Sequence, residues 1–292
     1  MSRRVAHAVL ALESYAELGE GPVWDAVEQV LWWVDIPHGR VHRFDPSHTQ
    51  DQSFEVGGAV SSVALTKAGG LVMAAGRRFL TCDSRGEGLV VVADCKVDIS
   101  EVRLNDGKVD PLGSFWAGTA AHDEVTPAGA VFRLRPDFRL DVMFDQVVCS
   151  NGLDWSTDGR WFYYIDSGRR AVDRFRCDWE TGGLSDRETL FVVDGPGIPD
   201  GMAMDADDGM WIAMFGGGAV RRYRMDGMID REVTVPTPNV TSLAFGGGNL
   251  DEIYITTARE GVVGPQRARD LGGGCLYWAS VGIRGRESYR FG

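Results

Sequence analysis

Six small residues, Gly21, Ser62, Gly107, Gly152, Gly201 and Ser242, each open an alternating apolar segment, and successive ones stand 41, 45, 45, 49 and 41 residues apart. Self-similarity at such a period signals a stack or ring of supersecondary units. A second apolar run follows in each unit, at Leu31–Val34, Leu71–Ala74, Phe115–Gly118, Trp161–Ile165, Trp211–Phe215 and Ile253–Thr256. Third runs often close on an aspartate, at Asp45, Asp137, Asp178 and Asp226, and fourth runs are shorter and more polar. β-Branched and aromatic residues at a period near two, bounded by Gly, Pro and Asp, are strand signals. No amphipathic helical stretch competes with them. Four short strands per unit and six units describe an all-β fold, a single six-bladed β-propeller over residues 1–292 with four antiparallel strands per blade. An all-β sandwich supplies no reason for a sixfold period. The N-terminal run Val5–Leu12 is expected to complete the sheet that holds Leu276-Tyr-Trp, so that strands from the two termini close the ring and leave no free edge.

Composition narrows what such a ring meets. Of 292 residues, 30 are Lys or Arg and 42 are Asp or Glu, a formal charge of −12. That surface repels phosphate backbones and anionic lipid, so neither nucleic acid nor a membrane is expected as a partner. No apolar run reaches the length of a membrane-spanning helix. Cys82, Cys95, Cys149, Cys177 and Cys275 are odd in number and scattered, without a CxxC pair. A disulfide framework and a zinc knuckle are both disfavoured, and a reducing, cytoplasmic setting is expected.

In a propeller the first strand of each blade lines the central channel and begins at one mouth. The residue just before each small anchor is then comparable between blades: Glu20, Ser61, Asp106, Asn151, Asp200 and Thr241. All six carry side-chain oxygen and three are carboxylates. Carboxylate and amide oxygens gathered without thiols suit a hard divalent cation, which also relieves their mutual repulsion. The same residues also fit a plainer role, capping strand ends or holding channel water. Arg103 and Asn105 stand at the same mouth; a guanidinium fork there either pairs with an anionic group or donates to several hydroxyls, or is tied to a neighbouring carboxylate. The loop Ala121-His122-Asp123-Glu124 adds further polar groups. No G-x-S-x-G elbow, H-E-x-x-H pair or complete dinucleotide glycine pattern occurs.

The segments Gly19–Trp24, Arg103-Leu-Asn-Asp-Gly-Lys-Val-Asp-Pro111, Ser150-Asn-Gly-Leu-Asp-Trp-Ser156, Phe162-Tyr-Tyr-Ile-Asp-Ser167 and Ile198-Pro-Asp-Gly-Met202 resemble the SMP-30/gluconolactonase/regucalcin-like (LRE-like) family. The resemblance runs from Leu18 to Arg259. It implies a metal held by Glu20, Asn151 and Asp200, with substrate contacts from Arg103, Asn105 and Asp123. Asp123 is one carbon shorter than the family's Glu. Asp106, picked out by the repeat, is not a ligand in the family pattern. The implied reaction is metal-dependent hydrolysis of a sugar lactone, γ or δ, to the aldonic acid. Asp200 is then the catalytic residue, as general base or as ligand to the cation that activates the water. One divalent cation is implied, among Ca, Mg, Mn and Zn, and the small-molecule partner is the lactone. The same site suits two rival readings: a calcium-dependent phosphotriester hydrolase, and a non-catalytic calcium-binding propeller.

Overall fold

The computed structural model describes residues 4–261, 266 and 270–292. Their strands form six sheets arranged as a six-bladed β-propeller, with blades spanning 19–55, 60–94, 102–147, 150–192, 198–234 and 240–280. Within a blade the chain runs from the axle outward in sequence order, each strand antiparallel to the last. In the fourth, for example, Ser150–Trp155 pairs with Trp161–Asp166, then Ala171–Asp178, then Gly183–Val192. The aspartates that end the third runs do turn work: Asp45 accepts the Ser47 N–H, Asp178 that of Glu180 and Asp226 that of Met228, each folding the chain into the fourth strand.

The apolar core is six wedges, one between each pair of neighbouring blades. Trp33, Trp116, Trp155 and Trp211 from the second apolar runs or the inner strands are completely buried in these layers. Large rings suit the wedge because the gap between two twisted sheets widens away from the axle. Near the axle the opposite holds and blades nearly touch. A Cβ on Gly152 would sit 2.5 Å from the Met202 Cβ, and one on Gly201 would sit 2.1 Å from the Ser242 Oγ. The small anchor residues thus set the radius of the ring.

Ring closure differs from expectation in one respect. The N-terminal run is two strands. Val9–Leu12 does pair antiparallel with Leu276–Ser280, as the outermost strand of the sixth blade. Arg4–His7 instead lies parallel to Ile229–Thr234 and gives the fifth blade a fifth strand. The switch falls at Ala8, whose N–H donates to the Thr234 carbonyl (2.9 Å) and whose methyl is buried between the two blades. One N-terminal segment therefore staples the last two blades together.

The C-terminal segment, residues 281–292, crosses the face of the ring where the inner strands end. Gly285 N–H donates to the Leu250 carbonyl (2.7 Å), Ala206 N–H to Arg284 (2.9 Å), Phe291 N–H to Leu65 (2.8 Å) and Gly292 N–H to Gly113 (3.0 Å). Arg286 bonds Asp154 (2.9 Å) and Arg290 bonds Asp25 (2.6 Å). All six blades are touched. Between this plug and the other mouth lies an axle cavity of about 70 Å³, lined among others by Asp106, Lys108, Asp154, Met202 and Arg286.

Candidate functional site

The six residues that open the inner strands are all buried: Glu20, Ser61, Asp106, Asn151, Asp200 and Thr241. In every blade the pairing of the first and second strands slips by one residue at or beside this position. A bulge leaves the extra residue out of the ladder and re-aims its side chain. Six bulges at one level define a ring of oxygens at the mouth opposite the plug.

Charge sits on alternate blades of that ring, with Glu20 on the first, Asp106 on the third and Asp200 on the fifth. Burial, and then the nearby Asp106 charge, pushes the Glu20 carboxyl from 4.5 up to about 8. Burial raises Asp106 to about 6, held back by the Lys108 ammonium. Burial, then Glu20 and Asp106, hold the Asp200 carboxyl well above the usual carboxylate range. Glu20 accepts one hydrogen bond, from the Gly21 N–H (2.8 Å). No donor among the described residues reaches the Asp200 carboxylate. Buried carboxylates so poorly supplied with donors need a proton or a cation.

Asn151 is held differently. Its Nδ2 donates to the Ser167 Oγ (2.8 Å), and its Oδ1 accepts from the Asn105 Nδ2 (3.0 Å). Asn105 also donates to the Ser150 carbonyl (2.8 Å) and accepts from Arg103 Nη1 (2.5 Å). Arg103 forms no ion pair among the described residues; its guanidinium reaches only Asn105 and the Leu104 carbonyl. The alternative of an Arg tied to a carboxylate is therefore not what the structure contains. Among the described residues no three His, Cys, Asp or Glu side chains form a ready cage for a metal. The donor set at the mouth is of another composition: two carboxylates, Glu20 and Asp200, and one amide oxygen, Asn151. With water and substrate oxygen completing the shell, that set fits a hard divalent cation, and its excess negative charge calls for one.

Asp123 lies beside Glu124 in the loop after the second strand of the third blade. Its carboxylate is exposed and caps its own loop, accepting from Val125 N–H (2.9 Å), Thr126 N–H (2.8 Å) and Thr126 Oγ1 (2.5 Å), bonds that lower its pKa to about 2. The neighbouring Glu124, at φ +54, is the loop acid whose charge acts on Asp200 and Cys149.

Sequence reasoning missed two supports. Asp35 and Asp166, each ending a second strand, reach back to the chain that enters an inner strand carrying a candidate ligand, Glu20 or Asn151. Asp35 accepts from Glu17 and Leu18 N–H, and Asp166 from Val148 and Cys149 N–H. The matching ends of Leu31-Trp-Trp-Val-Asp35 and Phe162-Tyr-Tyr-Ile-Asp166 were the signal. The second support is the ion cluster below the ring, where buried Asp154 takes Lys108 Nζ (3.0 Å) and Arg286 Nη2 (2.9 Å). Burial opposes ionisation of Asp154, but these two cations outweigh it and bring its pKa below the ordinary value.

Fold and site together define a six-bladed β-propeller with a ring of buried side-chain oxygens at one mouth of an axle plugged at the other. Residues 18–259 match the SMP-30/Gluconolactonase/LRE-like region, and the chain belongs to that family. Human regucalcin is 40% identical over 282 residues, 94% of each chain, and Xenopus laevis regucalcin 39% identical over the same length. Among solved structures, a luciferin-regenerating enzyme superposes with a TM-score of 0.88 at 30% identity, covering 97% of this chain and 99% of that one. A calcium-binding protein, regucalcin from Agrobacterium tumefaciens, gives 0.94 over both whole chains at 24% identity, a likeness of fold. A Xanthomonas campestris gluconolactonase gives 0.74 at 23% identity over 94% of this chain and 88% of its own, again a likeness of fold.

Proposed function

We propose that the chain is a divalent-cation-dependent hydrolase that opens a sugar lactone to its aldonic acid. The observation that carries this reading is the set of buried ring residues Glu20, Asn151 and Asp200, whose carboxylates lack enough donors and whose amide is held by Ser167 and Asn105. The family, and relatives whose names include gluconolactonase and calcium-binding protein, support it.

Glu20, Asn151 and Asp200 would hold the cation. Bound there, a divalent cation polarises the lactone carbonyl and offsets the charge that builds on its oxygen. Arg103, with donors left over, orients the ring hydroxyls, and Asn105 fixes the direction in which Arg103 points. Asp200 takes a proton from the attacking water as the new C–O bond forms. The ring C–O bond then breaks, and the freed alkoxide takes that proton back from Asp200 to become a hydroxyl, which leaves the aldonic acid and restores the carboxylate. Asp123 serves by capping the 123–126 turn that places Glu124.

Acid release from γ- and δ-aldonolactones in a pH-stat, before and after chelation and with Ca, Mg, Mn and Zn restored singly, tests the reading. Turnover that disappears with chelator and returns with a cation supports it. Turnover of a phosphotriester and no lactone gives the site to phosphoryl chemistry, and cation binding without turnover of either makes it a binding propeller.

Asp123 gives a second expected result. Asn keeps an oxygen for the turn N–H groups, so Asp123→Asn is expected to hold KM within about 3-fold. Asp123→Ala removes the acceptor for those N–H groups and is expected to raise KM roughly 5-fold. Equal losses in both variants would show that the carboxylate charge itself meets the sugar.

A further inference from the structure

Ser167 follows the second strand of the fourth blade and opens the short 3-10 turn Ser167–Arg169. Its hydroxyl is buried against two neighbours. It donates to the Pro199 carbonyl (2.6 Å) and accepts from Asn151 Nδ2 (2.8 Å).

The direction of these bonds is forced. A serine hydroxyl has one proton, and a backbone carbonyl can only accept. Once the proton is spent on Pro199, Ser167 can offer Asn151 nothing but a lone pair. The amide must therefore turn its nitrogen toward Ser167, which leaves Oδ1 for the mouth of the axle. Had the amide flipped, its nitrogen would face the site and supply no ligand oxygen. The second anchor matters equally, because Pro199 immediately precedes Asp200 on the inner strand of the fifth blade. A single hydroxyl thus ties the side chain of one candidate ligand to the backbone that carries another, across a blade boundary.

We infer that Ser167 is a positioning residue for the cation site, selecting the ligating orientation of Asn151 and fixing its register against Asp200. This rests on the cation-dependent reading above. From Pro199 the bonds run through Ser167, Asn151 and Asn105 to Arg103, so the candidate cation site and the guanidinium share one chain of contacts across three blades.

Calorimetric titration with Mn2+ alone tests it on wild type, Ser167→Ala, Ser167→Thr, Asn151→Ala and the Ser167→Ala/Asn151→Ala pair. Outer contacts of this kind are worth about 10–100-fold in metal affinity. Ser167→Ala is expected to weaken Mn2+ by that factor while the circular dichroism of the cation-free protein stays unchanged. Ser167→Thr keeps the hydroxyl and is expected to recover most of the affinity. In the Asn151→Ala background Ser167→Ala is expected to cost less than about 3-fold, because the orientation it selects no longer exists. Wild-type affinity in Ser167→Ala, or the same loss with and without Asn151, overturns the role of Ser167 and leaves the cation reading standing. A wild-type protein that takes up no Mn2+, Ca2+, Mg2+ or Zn2+ overturns both.

Discussion

Asp200→Asn is expected to abolish cation-dependent acid release and, in the same molecule, to stabilise the cation-free protein. The loss follows from removing a ligand charge and the proton acceptor together, on the order of 1,000-fold in kcat/KM. The gain follows from the linkage between protons and folding. In the folded chain the Glu20 carboxyl is raised from 4.5 to about 8, by burial first and Asp106 second. The unfolded chain gives up that proton near the ordinary value. Between the two pH values the unfolded state binds fewer protons, so stability falls as the pH rises. Glu20 alone contributes a loss on the order of a few kcal/mol across that window, and the raised Asp200 and Asp106 act in the same direction. Arg103 and Lys108 oppose the effect but do not reverse it. The melting temperature of chelated wild type is therefore expected to decline from pH 5 to pH 8, and the increment produced by added cation to grow. Asp200→Asn removes one of the repelling carboxylates and is expected to melt about 5 °C higher than wild type at pH 8 without cation. A chelated wild type whose melting temperature is flat or rising over this range would sink the electrostatic account. Full turnover in the variant would sink the assignment of Asp200.

At the far end of the axle, Arg286→Met is expected to destabilise the fold severely and to leave cation affinity nearly untouched. Arg286 sits on Asp154, a buried carboxylate whose other cation is Lys108. Removing one partner of a buried pair costs roughly 3–5 kcal/mol, because the remaining charge has lost its compensation. For a chain of this size that corresponds to about 10 °C in melting temperature. The same guanidinium bonds the Trp155 carbonyl (2.6 Å), so its loss also loosens the tail from the fourth blade. Scanning calorimetry beside Mn2+ titration separates the two effects. A fall below about 2 °C would mean that Lys108 suffices for Asp154, and a large fall in cation affinity would mean that plug and mouth are coupled.

How far these features were legible in the residues varies for physical reasons. The ring was readable because each blade repeats one hairpin pattern, and because equivalent positions in a repeat become neighbours around an axis. Glu20, Asn151 and Asp200 could be lined up from the spacing of Gly21, Gly152 and Gly201 alone. The break in Val5–Leu12 was not readable. The run is apolar at every position but His7, and only the gap that receives Ala8 divides it. Nor does the sequence of the tail, Val281 to Gly292, announce a plug: its partners, from Asp25 to Leu250, are distant in the chain. Asp123 shows a different limit. Its place in a motif says where the backbone goes, while Thr126, three residues on, decides where the carboxylate points. Ser167 reads as an ordinary residue after a strand until Pro199 is brought beside it.

The tail's crossing of the lower face has a consequence for traffic. A tunnel stopped at one end has a single doorway, so a spent molecule must leave by the route its successor would take. On the proposed lactonase reading, occupancy by the acid and arrival of the next lactone are mutually exclusive, and accumulated product is expected to compete with substrate at the entrance.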